Sequence, residues 1–198
     1  MDPLGWERLS VAAATMCLLG LVGCSTGATR LGAIDYTSQY DPNFVRNAAS
    51  TGQITAVVRG NPFGPGAVDA DAIAGAFYLP SWVGTAHVAA HSGTEAPTGY
   101  RIVLLFGPHS PGPGDDDTCA RPEAQPVENG SGPVRLQATF CIGSRWASTL
   151  VAAGSAVNGI DDPAFRALME QVSYDLLPPK NKKNYSTAMA GCAAFMGC

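Results

Sequence analysis

The chain is short of charge: only 14% of its 198 residues are Asp, Glu, Lys or Arg, where an average soluble domain has about a quarter. Lysine is scarcer still, confined to Lys180, Lys182 and Lys183, and the formal net charge is -4. No basic field is available to bind phosphates through counterion release, so the nucleic-acid binders that work this way are excluded. Periodicity at 20 to 50 residues is lacking, which argues against a solenoid. The apolar run over residues 11–23 has 13 residues, short of the roughly 20 that a membrane-spanning helix needs. What is present is a hydrophobic fraction of 46% together with 23 Gly and 15 Pro. That composition suits one compact domain with some irregular segments.

The run at 11–23 (VAAATMCLLGLVG) fits the apolar centre of a secretory signal. It ends Leu21-Val22-Gly23-Cys24, which resembles the lipobox of bacterial lipoproteins: an aliphatic residue, two small ones, then a cysteine. The resemblance covers about the first 24 residues and departs in one respect, since Asp2 and Glu7 offset Arg8 and the amino group where such signals start positive. It implies removal of residues 1–23, diacylglycerol on the Cys24 thiol and acylation of the new amino terminus, with the membrane as partner through that anchor. More than one chain then holds the protein stably, where a single acyl chain is marginal. Ser25 stands where an Asp would imply retention at the inner membrane, so the outer membrane facing the periplasm is expected if the source is a diderm bacterium. Residues 24–51 are rich in Gly, Ser, Thr, Asn and Ala and read as a tether that begins to dock near Tyr40 and Phe44.

With Cys17 removed and Cys24 lipidated, Cys119, Cys141, Cys192 and Cys198 remain, an even number outside the reducing cytosol. Four cysteines permit three pairings. Spacing favours Cys119 with Cys141 and Cys192 with Cys198. Close C-x-x-C pairs, which a zinc site would need, are absent.

Along the rest of the chain, residues 53–59 alternate as a half-buried strand, with Ile54, Ala56 and Val58 on one side. A short helix follows, capped by Asp69 and stopped by Pro80, with Ile73, Ala76 and Phe77 inward. Residues 85–90 form a weak strand, while 100–106 (YRIVLLF) reads as a central strand covered on both faces. Residues 108–133 read as a long surface loop stapled by Cys119. Residues 134–142 and 145–153 make a hairpin across Gly143-Ser144, a type II′ turn. Its expected register sets Phe140 against Ala147, Leu136 against Val151 and Cys141 against Trp146. Asp161-Asp162-Pro163 opens a helix whose stripe is Phe165, Leu168, Met169, Val172 and Leu176, ended by Pro178-Pro179. The sum is an α+β domain over residues 52–179, a two-layer fold with a largely antiparallel sheet and helices on one face. A cysteine-containing tail, 180–198, follows.

Few residues suggest chemistry. His87 and His91 stand four apart and, with His109 and the acids Asp115, Asp116 and Asp117, are the candidate metal ligands. The segment lacks the acid of an H-E-x-x-H site, and on a strand four residues span about 13 Å. His109-Ser110-Pro111-Gly112 lacks the first glycine of a nucleophile elbow. The three aspartates lack calcium-loop spacing and read as solvated turn acids. Residues 60–66 hold glycines in neither a dinucleotide nor a Walker pattern and read as a structural turn. Lys180, Lys182 and Lys183 follow the last helix, where they suit the negative end of its dipole and could touch anionic lipid. No catalytic residue or cofactor is assigned. The expectation is a lipid-anchored envelope protein that binds or scaffolds an envelope partner, with a periplasmic metal-binding protein or metal-dependent enzyme using His87, His91 and His109 as the alternative.

Overall fold

The computed structural model describes residues 29–93, 98–108, 116–130 and 132–183. The elements run β1 (Arg30–Tyr36), α1 (Pro42–Ala49), β2 (Gln53–Arg59), α2 (Ala70–Gly75), a 3-10 turn (Ser81–Val83), β3 (His87–Ala90), β4 (Tyr100–Phe106), α3 (Asp116–Ala120), a second 3-10 turn (Pro122–Ala124), β5 (Pro133–Ile142), β6 (Arg145–Ala156) and α4 (Pro163–Leu176). The six strands form one sheet in the order β1-β6-β5-β4-β2-β3. The fold is α+β, an open sheet carrying its main helices on one face.

The sheet is mixed. β1, β6, β5 and β4 pair antiparallel, whereas β4, β2 and β3 pair parallel. β4 is the junction between the two halves, which explains its almost unbroken burial from Arg101 to Phe106. Strands flanked and covered in this way read as apolar runs rather than alternations.

α4 forms for the reasons its sequence states. Asp162 accepts a hydrogen bond from Ala164 N, Pro163 occupies the first turn, and Phe165, Leu168, Met169, Val172 and Leu176 are buried. Burying side chains of this size stabilises the fold by about 1.5–3 kcal/mol each. They meet Ile102, Leu104, Phe106, Leu136, Ala138, Phe140, Leu150 and Ala152 from the sheet, joined by Val45 of α1 and Ile73 of α2, in the main core.

Three expectations are corrected. The tether does not reach residue 51: β1 is an edge strand and α1 a helix capped by Asp41 with Pro42 in its first turn. Tyr36, Tyr40, Val45 and Ala49 are buried. The loop over 108–133 contains α3 and a 3-10 turn, and Pro108 bridges Val127. The hairpin register holds at its turn, with Gly143 at φ 61° and Cys141 opposite Trp146, then slips by one at a bulge. Phe140 faces Ser148 and Leu136 faces Ala152. The extra residue is Ala147, fully buried, as expected where two residues of one strand oppose one on its partner.

Candidate functional site

The expected site residues fall in separate places. Cys24, His109, Asp115, Cys192 and Cys198 lie outside the described residues. His87 opens the edge strand β3, and His91 follows its end, where its backbone N donates to Ala56 O at 2.7 Å. The His91 ring lies so close to Gly93 that a Cβ there would stand 2.5 Å from its Nε2. Among the described residues, no group of three or more His, Cys, Asp or Glu is placed to hold a metal ion. Asp116 and Asp117 are the first residues of α3 rather than turn acids: Asp116 Oδ1 accepts from Trp146 N, and Asp117 pairs with Arg121 at 2.9 Å.

Cys119 and Cys141 are joined, their Cα atoms 5.7 Å apart. The bridge holds α3 over the sheet face opposite the main core, where Cys119, Cys141, Val103 and Leu105 form a small buried cluster edged by Trp146.

The most built surface feature is at the carboxyl ends of the parallel strands β2 and β4, the edge at which open sheets with parallel strands present binding crevices. β2 is followed by Gly60 at φ 75° and β4 by Gly107 at φ 61°. A Cβ on Gly60 would lie 2.4 Å from Phe106 O, and one on Gly107 would lie 2.8 Å from Glu128 O. Only glycine fits either place. The close approach lets residues 127–130 cross both strand ends, Glu128 N donating to Gly107 O at 2.9 Å and Gly130 N to Asn61 O at 3.2 Å. Asn61 also accepts from Phe63 N and donates to Val68 O, closing the 61–68 loop as the structural turn expected of it.

Between this crossing segment and β5 lies a cleft of about 340 Å³ lined by Pro62, Gly107, Glu128, Asn129, Gly130 and Arg135. Its charged feature is the half-exposed pair of Arg135 Nη2 and Glu128 Oε2 at 2.7 Å. Such a lining offers a polar group both signs of charge, an amide and backbone dipoles. Among the described residues its lining contains no Ser, Cys, His or Lys. A second groove of about 530 Å³ lies at the same end, between the 61–68 loop and residues 158–163. Sequence reading missed the cleft because backbone and glycine from three distant segments make it, leaving no spacing to recognise.

At the opposite end, four side chains take up the carbonyls that close α4 and the turn after it. Tyr36 Oη donates to Asp175 O, Ser148 Oγ to Leu176 O, Trp82 Nε1 to Leu177 O and Tyr40 Oη to Pro178 O, at 2.5 to 3.2 Å. Asn181 Nδ2 donates to Thr37 O and Tyr40 O, and Lys182 pairs with Asp175 at 3.2 Å beside the Tyr36 ring. Burial dominates in raising the phenol pKa values of Tyr36 and Tyr40 above their ordinary value. No helix among the described residues is long and apolar enough to cross a membrane. No protein-family model matches the chain, and no curated protein or solved structure matches it either.

Proposed function

We propose that the chain is a lipid-anchored cell-envelope lipoprotein whose folded domain binds or scaffolds other envelope components. The observation that carries this reading is a spacing: Leu21-Val22-Gly23-Cys24 stands just ahead of the domain, and Cys24 precedes the first strand residue, Arg30, by six positions. Cleavage before Cys24 would leave β1 and every later element in place, and lipid on Cys24 would stand six positions from Arg30. An outer-membrane position facing the periplasm follows from Ser25 if the source is diderm. Binding is supported by the carboxyl-end cleft, where the ion pair of Arg135 and Glu128 stands beside the Asn129 amide and backbone groups.

The test is Cys24→Ser. The variant is expected to lose detergent-phase partitioning and incorporation of labelled palmitate, and to accumulate unprocessed or in the soluble fraction. Processing and membrane fractionation like those of the wild type would overturn the reading. Crosslinking in native envelopes with a photoreactive residue at Asn129 is expected to capture a partner at the cleft.

A further inference from the structure

The position of the first strand says which way an anchored domain would face. β1 runs antiparallel to β6 with Arg30 opposite Ala153, so β1 begins at the sheet end where β6 finishes and α4 starts. Arg30 stands six positions after Cys24, a reach of at most about 20 Å even when fully extended. The 12 residues of β6 span about 40 Å, so the linker is short beside the domain. Two of the acids at this end are ion-paired within the protein and three are held by backbone N–H groups. Arg135 pairs with Glu128 and Arg166 with Asp161. Asp162 accepts from backbone N–H groups of Asn158 and Ala164, Asp69 from that of Ala72 and Asp71 from that of Ala90. Between them stand the half-buried Phe63, Val68 and Ile160 beside the 158–163 groove. Asp69, Asp71 and Asp162 are held by these hydrogen bonds but stay anionic, so the approach to a lipid surface rests on the short linker and on these apolar side chains. The lysines follow α4 at the other end, where Lys182 lies 5.8 Å from the Tyr36 ring, and Tyr36 is six residues further along β1, about 20 Å from Arg30.

Resting on the lipid anchor proposed above, we propose that the 61–68 loop and the 157–162 turn form the face held against the bilayer surface, and that the lysine end points away from it. The lysines then do not serve as lipid contacts, and the edge strand β3 and the lysine end stay open to the aqueous compartment.

The test uses the mature, lipidated protein in phosphatidylethanolamine/phosphatidylglycerol vesicles that carry a dansyl headgroup acceptor. Trp82 and Trp146, the tryptophans left after cleavage, both lie toward the lysine end: Trp82 bonds Leu177 O, and Trp146 stands at the start of β6. Wild-type protein is expected to show weak energy transfer, Ile160→Trp severalfold more, and Tyr174→Trp, on exposed α4 surface toward the far end, no increase. Phe63→Trp repeats the near-end measurement should Ile160→Trp fail to fold. Equal or stronger transfer from Tyr174→Trp, in protein that floats with the vesicles, would overturn the orientation while leaving the anchor intact. Failure of the wild-type protein to float would overturn the anchor itself, and the orientation with it.

Discussion

The two faces of the sheet are built on different terms. On the helix-covered face the strands contribute Ile54, Ala56, Ile102, Leu104, Phe106, Leu136, Ala138, Phe140, Leu150 and Ala152, all apolar and buried against α1, α2 and α4. On the other face the buried positions read Arg101, Val103, Leu105, Gln137, Thr139, Cys141 and Thr149. Their cover is α3, five residues long, and helices shorter than about 12 residues are marginal without outside support. Support comes from the Cys119–Cys141 bridge, from Asp116 accepting Trp146 N, and from Arg101, which donates to Cys119 O. That guanidinium is 3% exposed, its Nε is unpaired, and burial lowers its pKa from the ordinary arginine value. One face is held by apolar area. The other is polar enough to need a covalent staple.

If the faces are separable, perturbing each should leave a different trace. Phe165→Ala, on the main face, is expected to cost about 3–5 kcal/mol in urea unfolding, the range for truncating a buried aromatic. Removing the bridge with Cys119→Ala and Cys141→Ala should cost about 2–4 kcal/mol, as is typical for a disulfide. Combined, the two should add within about 0.5 kcal/mol. Hydrogen exchange of wild-type protein under reductant would then speed up over residues 116–120 while 163–176 stays protected. Equal acceleration in both segments would show one cooperative unit and dissolve the comparison.

Tyr40 sharpens the main-face half of the contrast because its polar atom is buried with a partner: it is 2% exposed and donates to Pro178 O at 2.7 Å. Tyr40→Phe leaves that carbonyl unsatisfied and is expected to cost about 1–3 kcal/mol near neutral pH. Burial, with smaller contributions from Tyr36 and Asp41, raises the folded-state pKa of Tyr40 above the ordinary tyrosine value. Above pH ~10 the unfolded phenol loses its proton first. The stabilisation is therefore complete below that pH and declines above it, by up to about 1.4 kcal/mol per pH unit for one tyrosine. Tyr40→Phe should flatten this alkaline decline while leaving the slope between pH 6 and 9 unchanged. Thermal unfolding scans across pH 6–11 read both effects.

How much was legible follows the same division. α4 and the strands of the main face could be read because burial and period agree: a capped start at Asp162-Pro163, a helical stripe, and alternation through Val134, Leu136, Ala138 and Phe140. β1 was hidden because its register shifts between Leu31 and Ile34, which erases a clean period of two. α1 did carry a signal, since Asp41-Pro42 repeats the opening of α4 over only eight residues. The slip at Ala147 had none, because alanine suits either face of a strand. Parallel pairing of β2 with β3 and β4 was masked by its connection, whose helix, α2, has only six residues. The cleft was illegible for a different reason. Gly60 and Gly107 are read locally as turn residues, and only the backbone crossing at 127–130 shows why neither can carry a side chain.

The smallest expected effect tests whether the stapled face is polar by necessity. Thr139 and Thr149 face each other across β5 and β6, buried, with their Oγ1 atoms 3.0 Å apart, and Thr149 Oγ1 also reaches Ala138 O at 3.3 Å. Valine has nearly the shape of threonine without the hydroxyl, so either single change leaves the other hydroxyl short of its side-chain partner and should cost about 1–2 kcal/mol. Changing both removes donor and acceptor together and should come close to neutral, giving a coupling of about 2–4 kcal/mol in a double-mutant cycle. A double variant that unfolds in urea at the wild-type midpoint would place the need for the staple in the thinness of α3 rather than in the polarity beneath it. A double variant less stable than both singles would mean that the hydroxyl pair itself holds β5 to β6 on this side.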